Sequence, residues 1–127
     1  MPSAIISSLE KLTDLLGDPQ LEIYQRLYLR YPDFQSLFVL DTDNSVRGSM
    51  LQTALEYILI YADIGEVDRA GLSSWQSHHL EYGVEKDVFL VFFNVIRDCV
   101  EENLGSEWTE TMSSQWEEFL LYVETLV

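Results

Sequence analysis

Cysteine, proline and basic residues are all scarce in this chain of 127 residues. The single cysteine, Cys99, excludes an internal disulfide framework and any zinc cluster built from several thiolates. It fits a reducing compartment. The three prolines, at positions 2, 19 and 32, lie in the first quarter, so everything after Pro32 is free to be helical. Seven basic residues stand against 22 acidic ones, for a net charge of −15. A duplex-binding protein needs a basic face to replace condensed counterions, and this chain cannot assemble one. An anionic membrane surface repels it for the same reason. The imbalance is steepest at the end: after Arg97 come Asp98, Glu101, Glu102, Glu107, Glu110, Glu117, Glu118 and Glu124, and no lysine or arginine.

Long hydrophobic runs are missing too. The longest uncharged apolar stretch, Val88 to Ile96, is interrupted by Asn94 and falls far short of the ~20 residues that span a bilayer. Met1 to Leu9 lacks the basic start and apolar stretch of a secretory signal. The expectation is a soluble, cytoplasmic protein. Phosphate-cradling glycine loops, G-x-S-x-G and H-E-x-x-H are all absent, so the common catalytic motifs offer nothing.

What is present is apolar and aromatic: 47% and 13% of the chain, ample for one core and one domain over 1–127. The spacing is helical. Trp108, Met112, Trp116, Phe119, Leu120 and Val123 recur at threes and fours, with Gly105 closing the element before them and Ser106 available as a cap. Val88, Phe92, Val95, Ile96, Cys99 and Val100 make a second stripe, which reads Cys99 as a small core residue. The stretch 44–62 makes a third, on a spine of Leu51, Leu55, Ile58 and Leu59. Asp18-Pro19 opens a helix carrying Leu21, Tyr24, Leu27, Tyr28 and Tyr31, which Pro32 ends or bends. Ile5, Leu9, Leu12, Leu15 and Leu16 support a short helix before Gly17. The segment 63–84 is less regular. No alternating strand pattern or repeat occurs, so the fold class is all-α with six or seven helices.

The paired acids Glu101-Glu102 and Glu117-Glu118 read as solvated helix faces. The histidines are the remaining chemical lead. Both are adjacent, His78 and His79, just before Tyr82-Gly83-Val84. Neighbours on a helix cannot chelate one ion as an i, i+4 pair can. A single protein ligand suits a prosthetic group that brings its own donors, such as haem with one proximal histidine.

Three stretches carry a family resemblance. They are Ile23-Tyr24-Gln25-Arg26-Leu27-Tyr28 with Pro32 and Leu37-Phe38, then His79 to Val84, then Leu104-Gly105-Ser106-Glu107-Trp108-Thr109 continuing to Trp116. In this order and spacing the chain resembles bacterial single-domain globins and the haem domain of flavohaemoglobins. The resemblance implies a globin-like fold with a shortened N-terminal helix and haem b (iron protoporphyrin IX) as cofactor. It makes His79 the proximal iron ligand, packs Phe38 on the porphyrin face, and adds Val84 after the proximal turn. It sets Tyr24 in the distal pocket, where its hydroxyl would donate to bound dioxygen.

The distal position on the long helix has two registers. One puts Arg47 there with Leu51 one turn later, and is preferred for its more apolar stripe; the other puts Met50 and Ala54 there, with Met50 a candidate sixth ligand. The usual distal histidine or glutamine is missing in both. The implied function is reversible binding of dioxygen or another diatomic gas. Nitric oxide dioxygenation is an alternative that needs a separate reductase, with Phe89 standing where flavohaemoglobins carry a tyrosine. A globin-fold sensor or interaction module without haem is another, and a homodimer through Trp108 and Trp116 is a further reading.

Overall fold

The computed structural model describes residues 3–38 and 40–127, and these form six α-helices with two short 3-10 segments and no strand. Helix α1 (Ser3–Leu16) ends where Gly17, at φ 70°, turns its N–H back to the Thr13 carbonyl at 2.8 Å. Helix α2 (Gln20–Arg30) starts after Pro19, with the Asp18 carboxylate accepting the Gln20 N–H at 3.0 Å. It buries Ile23, Tyr24 and Leu27, and Tyr31-Pro32 ends it. A 3-10 segment, Pro32–Phe38, follows. Next come α3 (Ser45–Ile64), α4 (Arg69–Glu81), α5 (Lys86–Leu104) and α6 (Glu110–Leu126).

Helix α5 is the central element. It buries Phe89, Phe92, Phe93, Val95, Ile96, Cys99, Val100 and Leu104, and α1, α2, α4 and α6 all pack on it. Such a wide apolar face reflects neighbours on several sides rather than one. Burial pushes the Cys99 thiol up to about 11, so it behaves as a core side chain and not a nucleophile. On α6, Trp116 and Phe119 are fully buried, and Trp116 Nε1 donates to Ser8 Oγ of α1 at 2.9 Å. Ser8 in turn donates to the Ile5 carbonyl at 2.7 Å, so this buried polar pair is satisfied.

Three local expectations need correction. The α6 cap is Thr109, whose hydroxyl accepts the Met112 N–H at 3.1 Å; Ser106 instead lies in a 3-10 turn, Gly105–Glu107. The buried side of α3 is Leu51, Ala54, Ile58, Tyr61 and Ala62, whereas Leu59 is exposed alongside Ile60 and Ile64. With apolar residues around most of its circumference, α3 has no single stripe to betray its inner face. Finally, the irregular segment holds the well-formed helix α4, capped by Asp68 through the Gly71 N–H at 3.1 Å. Only Leu72 of α4 is buried, so its periodicity is faint.

Candidate functional site

Between α3 and α4, over the start of α5, lies a cavity of about 570 Å³. That is within the ~300–1,000 Å³ usual for a small-molecule or cofactor site. Its walls are mostly hydrocarbon and aromatic. Leu27 comes from α2, Phe34, Leu37 and Phe38 from the 3-10 segment, Val46 and Met50 from α3, Trp75 from α4, and Val88, Phe89, Phe92 and Phe93 from α5. Leu40, Val84 and the polar groups of Asp41, Asp43, Ser45, His78, His79 and Tyr82 complete the lining, and among the described residues no lysine or arginine joins them.

His79 sits in the last turn of α4. Its Nδ1 lies 2.9 Å from the carbonyl oxygen of Trp75, one turn earlier. A carbonyl only accepts, so this contact places a proton on Nδ1; in the neutral ring Nε2 is then the electron-pair donor. The ring is held edge-on by Trp75 at 5.4 Å and tilted against Phe89 at 5.3 Å. The turn beyond is anchored on the same residue: Tyr82 and Val84 both donate their N–H to the His79 carbonyl at 3.0 Å, and Gly83 takes φ 84° to allow it. His78 is exposed, 3.8 Å from Glu81 and edge-on to Tyr82. Among the described residues, no group of three or more histidine, cysteine or acidic side chains could hold a metal ion. A metal at His79 would have to arrive with most of its ligands.

The opposite wall differs from expectation at three residues. Tyr24 is buried behind the wall rather than in it, 5.7 Å from Phe38 and 5.6 Å from Phe92. Its hydroxyl donates to the Arg47 backbone carbonyl at 2.9 Å, and burial raises its pKa far above the ordinary value. Arg47 turns to Asp41: Nε donates to Oδ2 at 3.0 Å and Nη2 to the Asp41 carbonyl at 2.7 Å. It also reaches the Asn44 side chain and the Tyr28 hydroxyl, and its guanidinium lies 5.5 Å over the Phe38 ring. Leu51 packs into the core. The cavity-facing stripe of α3 is therefore Val46 and Met50, one position before Arg47 and Leu51. Ala54, paired with Met50 in the second register, is fully buried and outside the lining.

Asp41 caps the helix that carries this stripe. Its carboxylate accepts the N–H groups of Val46 and Arg47, both at 3.0 Å, which caps α3 from four residues upstream while Asn44 takes φ 63°. Burial alone would raise the Asp41 carboxyl; the two N–H donors and the Arg47 guanidinium outweigh it and hold it below the ordinary aspartate value. A depressed folded-state value gives stability that is complete above the unfolded value and lost as the pH falls through the folded one. Asp41→Ala is thus expected to lower the urea midpoint at neutral pH, with the deficit shrinking as the pH falls through the folded-state value. A deficit that persists unchanged in acid would show that the carboxylate charge plays no part.

Motif and cavity coincide at Phe38, Val84 and His79, all three in the lining. Trp75, Phe89, Phe92 and Phe93 form the deeper wall, and the i, i+4 pairing of Trp75 with His79 is the signal that points to it. The Globin family model matches residues 21–125, a span that contains every lining residue. No curated protein matches the chain in sequence.

Proposed function

This chain belongs to the globin family, and from that premise we propose that it is a haem protein binding a diatomic gas reversibly, with His79 as the proximal ligand. The observation that carries the reading is the His79 imidazole: Nδ1 satisfied by Trp75, Nε2 free, in the wall of a cavity of cofactor size.

The residues present fit the group. The lining is apolar and aromatic, as a porphyrin face requires. Leu37, Leu40, Val46 and Tyr82 line the cavity yet are exposed, the rim that a flat apolar group would cover. At the mouth, Ser45, His78 and Tyr82 can donate to carboxylates at the edge of the group, while Asp41 and Asp43 carry the same sign. When bound, the haem supplies a ferrous iron at which a gas coordinates reversibly.

The chain's own contribution is orientation and exclusion of water. The Trp75 carbonyl fixes the orientation and tautomer of the His79 ring. Phe89, against His79 at 5.3 Å, presents a hydrocarbon edge, so no phenol bonds the imidazole from that side. This favours gas binding over nitric oxide oxidation. Phe38, Phe92 and Phe93 keep the site dry.

Tyr24 holds α2 to α3 through the Arg47 carbonyl, which commits its only O–H. A hydrogen bond to the gas would be worth ~1–1.5 kcal/mol, about tenfold in release rate. Tyr24→Phe is accordingly expected to change oxygen dissociation by less than about twofold while lowering stability by ~1 kcal/mol. Stopped-flow dissociation checks it, and a tenfold acceleration would reassign the hydroxyl to the gas. The proposal as a whole is tested by titrating haemin into the protein and following tryptophan fluorescence. Trp75 lines the cavity, so quenching should saturate at one equivalent and lose amplitude in Trp75→Phe. No saturable quenching would contradict it.

A further inference from the structure

We propose that Met50 supplies a second axial ligand to the iron, so that the gas-free protein is six-coordinate and any gas must displace a thioether. The inference rests on the haem reading above and concerns the part of the lining that α3 supplies, where His79 comes from α4.

Six lining side chains besides His79 carry an electron-pair donor: Asp41, Asp43, Ser45, Met50, His78 and Tyr82. Asp41 is engaged by two backbone N–H groups and the Arg47 guanidinium. Asp43 accepts the Ser45 N–H at 3.1 Å, and both residues are exposed at the mouth. His78 precedes His79 directly on α4 and turns to Glu81 and Tyr82, and Tyr82 belongs to the turn just after α4. Both come from the same side of the cavity as the proximal histidine. Met50 alone combines an origin on α3 with partial burial in the lining.

The two methionines of the described residues make a contrast. Met112 is buried, and its sulfur receives the Thr109 N–H at 3.5 Å as part of the α6 cap. The Met50 sulfur has no hydrogen-bond partner among the described residues. Tyr24 and Arg47, the other polar candidates from α2 and α3, are committed elsewhere and lie outside the lining. A methionine has three rotatable bonds beyond Cα and a soft, polarisable sulfur, so it adapts its reach within an apolar wall. Thioethers favour the reduced metal and raise the potential of a histidine-ligated haem. Gas affinity would then be lowered by the fraction of molecules in which the sulfur is bound.

The test uses haemin-reconstituted wild-type protein and Met50→Leu, a swap of similar volume. Reduced without gas, the wild type is expected to be low-spin with sharp, split visible bands, and its proton spectrum to carry a methionine methyl resonance shifted far upfield. Met50→Leu is expected to be high-spin and five-coordinate when reduced. Its carbon monoxide affinity should rise by roughly tenfold or more, as when a state populated at ~10% becomes dominant. A high-spin wild type overturns the inference, as does a low-spin spectrum unchanged in Met50→Leu; in both cases haem binding itself stands. Failure of the wild type to take up haemin overturns the functional reading and the inference with it. Should Met50→Leu not fold, the wild-type methyl resonance decides alone.

Discussion

His79→Gly is expected to weaken haemin binding by at least ~100-fold and to abolish a sharp Soret band. Loss of a group that only orients a metal ligand costs about 10–100-fold, and here the ligand itself is removed, while its neighbour His78 is turned to Glu81 and Tyr82. Glycine leaves a space of imidazole shape beside Trp75 and Phe89, which contact the ring in the intact protein. Added imidazole should therefore restore the band. Rescue separates a lost ligand from a damaged fold, because free imidazole does not repair a helix. A variant that retains haemin as tightly as wild type would move the ligand elsewhere, with His78 the residue to examine.

Trp116→Ala is expected to cost ~3–5 kcal/mol, the usual range for an aromatic-to-alanine change in a core. The side chain is fully buried, meets Phe119 edge-on at 6.1 Å, and donates to Ser8 across 108 residues of sequence. Removing it opens a cavity where α1 meets α6, two elements that pack on each other and on α5. Against a typical stability of ~5–15 kcal/mol, that is a large share. Urea unfolding followed by circular dichroism measures it. A loss under ~1 kcal/mol would mean that α1 and α6 are not held by this contact. Trp116→Phe should fall between, since it keeps most of the apolar volume and loses the bond to Ser8.

Much of the fold is legible in the chain because its signals are local. Gly17, Gly65 and Gly105 end helices at positive φ, and Pro32 ends α2. The stripes on α5 and α6 show plainly, because their buried residues recur at helical spacing. Helix α4 hides for the opposite reason. Trp75 and His79 face a cavity rather than the core, so its pattern lacks the apolar repeat that marks a packed helix. The register of α3 is obscured by Leu55, Leu59, Ile60 and Ile64, which surround the buried face with equally apolar residues.

The candidate site divides along the same line. His79, Phe38 and Val84 stand in motifs with fixed spacing, and all three line the cavity. Tyr24 and Arg47 were also singled out by position, yet their polar ends are decided by partners that spacing does not reveal. One is a backbone carbonyl, which leaves no trace in the sequence; the other is Asp41, a buried carboxylate six residues away. Asp41 accepts the first N–H groups of α3 and the Arg47 guanidinium, so Arg47 lies outside the lining while Val46 and Met50 are in it. Neither register read from the sequence is the one observed: Val46 and Met50 face the cavity, while Arg47 turns to Asp41 and Leu51 packs into the core.

The most direct measurement of the central claim is the absorption spectrum of purified wild-type protein after one equivalent of haemin and gel filtration, beside His79→Gly treated identically. Haem held by His79 predicts a sharp Soret band that co-elutes with the wild type, shifts when carbon monoxide meets the reduced protein, and is missing from the variant. A broad band indistinguishable from free haemin, or the same sharp band in both proteins, would contradict it.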